Sequence, residues 1–219
     1  MVWIKVCGIT KREDALAISD FHPDGLGFVF YPKSKRYISL DKAGGIISSI
    51  RKKYREESPG MVGVFVNDSL GFVRKASLKL GLDYLQFSGD EDLGYLQEVK
   101  KDTGKKIIKS VRVETNQDIL SHIIYFRKTA DYILLDSWTG QDYGGSGIRF
   151  DWELAKDCMD YLPVILAGGL GQENISEAII KLQPFGVDAS SRLESSPGKK
   201  DIMTVREFIS KARTVERQT

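Results

Sequence analysis

Hydrophobic and polar positions along the chain form a repeating pattern, in which short apolar runs alternate with longer stretches of helical periodicity. Residues 62–66 and 132–135 are apolar almost throughout, which is typical of strands that are buried on both faces. Eight such runs predict strands, at residues 3–7, 25–30, 61–66, 84–87, 106–111, 132–135, 164–166 and 186–189.

The stretches between most of these runs predict helices, because their apolar residues recur three and four positions apart. The predicted helices cover residues 41–55, 70–80, 90–101, 115–128, 151–160, 174–182 and 201–213, and Ser69, Thr115 and Asp151 are capping-type residues at three of the starts.

Eight strand units without a Pro/Gly/Ser-rich linker favour one α/β fold, a closed (β/α)8 TIM barrel formed by residues 1–219 as a single domain. The alternative is a flavodoxin-like open sheet, which usually has about five strands.

Composition and charge argue against several classes of function. A formal net charge of +2 gives no argument for nucleic-acid binding, and no apolar run approaches the roughly 20 residues of a membrane span. Two cysteines and no recognisable signal peptide fit a reduced, cytoplasmic protein. His22 and His122 lack the spacing of metal ligands, so no metal site is expected.

The candidate catalytic and binding residues lie at the strand ends, because the active sites of TIM-barrel enzymes are at the C-terminal ends of their strands. Cys7 ends the first strand, and two-residue alternation puts Lys5 on the same face, where it would lower the thiol pKa. Position alone does not separate a catalytic Cys7 from an inert core cysteine. Cys158 falls inside a predicted helix and is expected to be inert.

The loop after the second strand combines aromatic and basic residues. Its guanidinium, Arg36, is suited to gripping a planar carboxylate with two parallel hydrogen bonds, more so than the neighbouring lysines. The alternative is a solvated basic loop.

Asp136 follows the sixth apolar strand, where partial burial would raise its pKa and let it act as a general acid. The glycine-rich segment after it, which includes Gly145, is expected to be a mobile lid or a close approach to a ligand. A helix N-cap is the other interpretation of Asp136, but the next predicted helix starts near Asp151.

Small residues follow the last two strands. Gly168 and Gly169 after the seventh strand, with Ser190 and Ser191 after the eighth, suit a phosphate held by backbone N–H groups, hydroxyls and a short helix. Plain turns are the alternative.

Taken together, these blocks resemble the signature blocks of phosphoribosylanthranilate isomerases, in the same order and over nearly the whole chain. They are residues 5–10 (KVCGIT), 27–31 (GFVFY) with 34–36 (SKR), 62–67 (VGVFVN), 134–137 (LLDS), 144–147 (GGSG) with 150–152 (FDW), 166–170 (LAGGL), and 186–191 (GVDASS) with 197–201 (PGKKD).

The resemblance implies a cofactor-free Amadori rearrangement of N-(5'-phosphoribosyl)anthranilate in tryptophan biosynthesis. It implies Asp136 as the general acid that opens the ribose ring and Cys7 as the general base that takes the C2' proton. Arg36 would hold the anthranilate carboxylate. The remaining implied substrate-binding residues are Lys5, Gly145, Gly168, Gly169, Asp188, Ser190 and Ser191. The implied partners are the small-molecule substrate and, at most, a second copy of the chain, since family members are monomers or homodimers.

Three positions depart from the family pattern. Ser88 stands where a histidine is usual, and Lys35 stands where a proline is usual. Arg192 replaces a glycine, so it is either strained or an added cation for the phosphate. Two other functions stay open: a related barrel isomerase of histidine biosynthesis, which Cys7 disfavours, and a phosphate-binding module without activity.

Overall fold

Eight parallel strands form the centre of the molecule. In the computed structural model, which describes residues 1–113, 119–137 and 152–215, they hydrogen-bond in chain order and the eighth pairs with the first. The strands are β1 (Trp3–Cys7), β2 (Gly25–Val29), β3 (Gly60–Phe65), β4 (Tyr84–Phe87), β5 (Lys106–Val113), β6 (Tyr132–Ser137), β7 (Val164–Leu166) and β8 (Gly186–Ala189). This closure confirms the predicted TIM barrel and excludes the open sheet.

Helices surround the barrel. They are α1 (Arg12–Ser19), α2 (Leu40–Tyr54), α3 (Leu70–Leu80), α4 (Leu93–Thr103), α5 (Ile119–Phe126), α6 (Ile175–Leu182) and α7 (Ile202–Thr214). The helix predicted for residues 151–160 is a 3-10 helix, Trp152–Cys158. Its residues Trp152, Ala155 and Cys158 are buried at a spacing of three, the period of a 3-10 helix.

The helix caps show how local sequence fixes these elements. The Ser69 hydroxyl accepts a hydrogen bond from the backbone N–H of Phe72, as expected of an N-cap, and such a cap typically stabilises by about 1 kcal/mol. Gly81, at φ +60°, ends α3 in the left-handed region that glycine tolerates. The predicted caps Thr115 and Asp151 lie outside the described residues.

The barrel interior is apolar at its N-terminal end. Ring centroids of Trp3 and Tyr84 lie 5.7 Å apart, and those of Tyr132 and Phe185 lie 5.0 Å apart. Above these rings an apolar layer fills the barrel: Val62, Ile108, Leu134, Ile165 and Ala167. Because these layers close the N-terminal end, the polar interior residues lie at the C-terminal end, as is usual in this fold.

A small hairpin follows β8. Its strands are β9 (Glu194–Ser196) and β10 (Lys199–Lys200), which pair antiparallel around a turn that contains Gly198. The Thr10 hydroxyl donates a hydrogen bond to the Gly198 carbonyl, and the Lys200 backbone N–H donates to Asp14 of α1 over 2.9 Å. These two contacts fix the hairpin against the β1 end of the barrel mouth.

Among the helices of residues 1–113, 119–137 and 152–215, none is both long and apolar enough to cross a membrane. In the same segments, no group of three or more histidine, cysteine, aspartate or glutamate side chains could hold a metal ion.

Candidate active site at the barrel mouth

The floor of the barrel mouth is a buried ion pair between β1 and β8. The Lys5 ammonium donates to Asp188 Oδ2 over 2.7 Å, and Lys5 is fully buried. These strands align Lys5 opposite Asp188 in the sheet register, so the pair follows directly from barrel closure. Lys5 therefore lies beneath the cavity at the barrel mouth, where its positive charge acts on Cys7 and Asp136.

Cys7 lies one inward position above Lys5, as the alternation predicts. Burial raises the pKa of the Cys7 thiol; Lys5 opposes this shift and the negative charge of Asp188 adds to it. The expected lowering by Lys5 is present, but burial outweighs it. A Cβ atom at Gly27 would lie 2.6 Å from the Cys7 sulfur, so β2 needs glycine at this position.

Asp136 ends the inward face of β6, three strands from β1 around the barrel. Burial, with a contribution from the negative charge of Asp188, raises the pKa of Asp136 to about 7, against the opposing charges of Lys5 and Arg112. This shift agrees with the expectation for a general acid, since the carboxyl group holds a proton near neutral pH.

The negative charge of Asp188 acts on both candidate catalytic residues, Cys7 and Asp136. One carboxylate oxygen accepts from Lys5, whereas the other, Oδ1, is buried and has no hydrogen-bond partner among the described residues. A buried acceptor without a partner is costly, so this oxygen is suited to a ligand hydroxyl.

Arg36 is held in a fixed orientation. Its Nε and Nη2 each donate to Glu194, over 2.8 Å to separate carboxylate oxygens. Glu194 also accepts from the Lys200 ammonium over 2.9 Å. Arg36 borders the cavity, so the guanidinium edge that Glu194 does not occupy is the part suited to a ligand carboxylate.

The loop after β7 brings backbone close to β6. Gly168 and Gly169 have φ values of +80° and +62°, and a Cβ at Gly168 would lie 2.5 Å from the Ser137 hydroxyl oxygen. Asn174 fixes this loop: its amide donates to the Gly169 carbonyl and its oxygen accepts from the Gly171 N–H, both over 2.9 Å.

The loop after β8 faces this glycine loop. The Ser190 hydroxyl donates to the Cys7 carbonyl over 3.1 Å, and Ser191 begins the 3-10 helix Ser191–Leu193. The two loops share the lining of a cavity of about 40 Å³ with Asp136 and Asp188. The glycine and serine residues predicted to hold a phosphate therefore line one cavity, with the short helix beside it.

A second cavity, of about 80 Å³, shares Asp136, Asp188 and Ser190 with the first and is also bordered by Cys7 and Arg36. The structure therefore brings both candidate catalytic residues and the candidate carboxylate anchor to one cavity. Gly145 lies outside the described residues, as does the whole segment predicted to be a lid.

The three departures from the family pattern have structural outcomes. The Ser88 hydroxyl accepts from the Gln86 amide over 3.1 Å and borders the larger cavity. The backbone of Arg192 is not in the positive-φ region, and its guanidinium pairs with Glu173, so the strain considered for it is absent. Lys35 is exposed.

Sequence reasoning missed the partners that hold the site together. Glu194, Lys200 and Asn174 received no role, and Gln86, whose buried Oε1 has no partner among the described residues, was likewise overlooked. The available signal for Glu194 was an acidic residue in the loop after β8, near the basic loop that contains Arg36.

Comparison with known proteins tests the family resemblance. The sequence pattern of the family described as N-(5'-phosphoribosyl)anthranilate isomerase matches residues 4–211. The chain belongs to this isomerase family. The N-(5'-phosphoribosyl)anthranilate isomerase of Geobacter metallireducens is 39% identical over 97% of this chain and 100% of that protein.

Solved structures of phosphoribosylanthranilate isomerases have the same fold. Monomers of the dimeric Thermotoga maritima enzyme superimpose with a TM-score of 0.83 at 35% identity, covering 97% of this chain and 99% of that one. A phosphoribosylanthranilate isomerase in complex with reduced 1-(o-carboxyphenylamino)-1-deoxyribulose 5-phosphate superimposes with a TM-score of 0.84 at 36% identity, with the same coverage. The family assignment from the sequence blocks is confirmed.

Proposed function

We propose that the chain isomerises N-(5'-phosphoribosyl)anthranilate to 1-(2-carboxyphenylamino)-1-deoxyribulose 5-phosphate, in tryptophan biosynthesis. The observation that carries the mechanism is the presence of two candidate proton-transfer groups, the buried Cys7 and the partly buried Asp136, at one cavity with an arginine. The rearrangement moves protons and bonding electrons within one molecule, so it needs no external oxidant, reductant or cofactor.

Asp136 is proposed as the general acid. With a pKa of about 7 it is substantially protonated near neutral pH, and it donates that proton to the ribose ring oxygen as the C1'–O bond breaks. The nitrogen lone pair forms the C1'=N bond, which gives an open-chain, protonated Schiff base. Asp136 is left as a carboxylate beside Lys5, whose positive charge stabilises it.

Cys7 is proposed as the general base. Its thiolate removes the proton from C2', and the released electron pair forms the C1'–C2' double bond while the C1'=N electrons return to nitrogen. The resulting enolamine gains a proton at C1' and loses the proton of its C2' hydroxyl as the C2'=O bond of the ketone forms. These two transfers balance the proton that Asp136 gave and the proton that Cys7 took. The raised thiol pKa makes the thiolate a stronger base once it forms, and Lys5 favours that ionised form.

The two ends of the substrate would be held by separate groups. Arg36 would bind the anthranilate carboxylate, and the phosphate would lie between Gly168–Gly169 and Ser190–Ser191. Asp188 Oδ1 would accept a hydrogen bond from a ribose hydroxyl. Lys5 would contribute through Asp188 and Cys7, because it is fully buried. Gly145 keeps its proposed substrate-binding role.

The proposed cellular setting is the cytoplasm, since a thiol base must stay reduced and Cys7 is a free thiol. The chain is proposed to act as a monomer or a homodimer, and the Thermotoga maritima relative is dimeric. Sedimentation of the purified protein distinguishes these two states.

The test is the decay of substrate fluorescence with purified protein, using substrate generated in place from anthranilate and phosphoribosyl pyrophosphate by the transferase that makes it. Fast decay with the wild type and almost none with Asp136→Asn supports both the reaction and its acid. Without wild-type decay the proposal fails, and turnover of an aminoimidazole substrate or phosphate-analogue binding alone would then identify the alternative functions.

A further inference from the structure

Arg36 belongs to a group of three charged side chains. Glu194 accepts from Nε and Nη2 of Arg36, and its oxygen Oε1 also accepts from the Lys200 ammonium. The Glu194 and Lys200 side chains are almost completely buried, with 3% and 1% exposure, whereas Arg36 reaches the cavity. This group of Arg36, Glu194 and Lys200 is termed the clamp.

The charge of the clamp depends on Lys200. Arg36 and Glu194 alone form a closed pair with no net charge, which would attract a second carboxylate weakly. Lys200 shares the Glu194 carboxylate and brings the sum of charges to +1. Because these groups are shielded from water, that extra charge is screened little.

Ionisation of the clamp is supported by its contacts. Burial opposes the charge of Glu194, but hydrogen bonding from Arg36 and the charge of Lys200 more than compensate and lower its pKa. The Lys200 ammonium donates two hydrogen bonds, one to Glu194 and one to the Ser190 carbonyl over 3.0 Å. Burial lowers the pKa of Lys200, whereas the charge of Glu194 and its hydrogen bond oppose this shift.

We infer that Lys200 is a positioning residue that makes the Arg36–Glu194 pair selective for a substrate carboxylate, by keeping the clamp net positive without touching the ligand. This inference rests on the proposed function, since it takes Arg36 as the carboxylate anchor. It assigns the β9–β10 hairpin a role in specificity, because the hairpin supplies both Glu194 and Lys200.

The test combines a change in the protein with a change in the ligand. Binding of reduced 1-(o-carboxyphenylamino)-1-deoxyribulose 5-phosphate is measured by calorimetry beside its phenylamino counterpart, which lacks only the carboxylate. The variants are Lys200→Met, which keeps the length of the side chain without its charge, and Lys200→Arg, which keeps the charge. Lys199→Met is the matched control, because Lys199 is the exposed neighbour on the same hairpin.

Wild type, Lys199→Met and Lys200→Arg should prefer the carboxylated ligand, and Lys200→Met should lose that preference by on the order of tenfold. Loss of the contact to Ser190 would weaken both ligands equally, because both carry the phosphate, and so leaves the ratio unchanged. In turnover, Lys200→Met should raise KM more than it lowers kcat.

Two failures are distinguishable. If wild type binds neither ligand, the proposed function fails, and the inference fails with it. If wild type prefers the carboxylated ligand and Lys200→Met, folded by circular dichroism, keeps the full preference, only the inference is overturned.

Discussion

Replacing Asp136 with asparagine should change how the stability of the protein depends on pH. The pKa of this carboxyl group is about 7 in the folded protein against an ordinary value of 3.8. The folded state thus holds the proton to higher pH than the unfolded chain does. The stability linked to that proton is fully present below pH 3.8 and is lost as pH rises through about 7.

The expected change in unfolding free energy follows from the part of this pKa shift that lies above pH 5. From pH 5 to the folded pKa of about 7 is about two units, each equivalent to about 1.4 kcal/mol. Wild type should therefore lose about 3 kcal/mol more unfolding free energy than Asp136→Asn between pH 5 and pH 8.

The assay is urea unfolding followed by tryptophan fluorescence at several pH values, with the wild-type minus variant difference plotted against pH. Asp201→Asn is the control. Hydrogen bonds from the Thr204 backbone and hydroxyl lower the pKa of Asp201 below 3.8, so its titration falls outside the window and its difference should be flat.

A flat difference for Asp136→Asn would refute the reasoning, because Asp136 would then be ionised at neutral pH in the free protein and unable to donate a proton. Rate profiles cannot replace this measurement. An acid and a base that titrate in either order give the same bell-shaped profile, whereas the stability difference belongs to the residue that was replaced.

Three further outcomes are expected. Cys7→Ser should lower kcat at least about 100-fold, as usual for proton-transfer groups, and near-normal turnover would remove Cys7 as the base. Gly168→Ala should weaken phosphate binding and stability, because its Cβ would meet Ser137 at φ +80°, whereas Gly45→Ala, in open space on α2, should stabilise by up to about 1 kcal/mol in thermal unfolding. Equal effects of these two glycine variants would contradict the steric argument. Ser69→Ala should cost about 1 kcal/mol of unfolding free energy without changing kcat, and no loss would mean that water replaces the cap.

The strands were predictable because apolar runs such as residues 62–66 must be buried on both faces of a barrel strand. Helix α1 was missed because two of its four buried residues, Asp14 and Ser19, are polar and weaken the apolar period. Each has a partner that a sequence pattern does not reveal: Asp14 accepts from the Lys200 backbone, and Ser19 donates to the Ala15 carbonyl.

Within the site, residues at strand ends were predictable and their partners were not. Cys7 and Asp136 follow from where their strands end, which local sequence determines. The contact between Arg36 and Glu194 joins positions 158 residues apart, and no local period encodes it. The raised pKa of Cys7 likewise required three-dimensional burial, because the sequence shows only the opposing neighbour, Lys5.

Barrel closure also has a consequence for synthesis of the chain. The Lys5–Asp188 pair joins residues 183 positions apart, so β1 keeps one open edge until β8 has left the ribosome. Unpaired strand edges are where nascent chains aggregate, and contacts this distant in sequence form late. The same step that covers the edge of β1 brings Asp188 beside Cys7. The pairing of β8 therefore completes the residues around the barrel mouth and covers the open edges of β1 and β7 in one event.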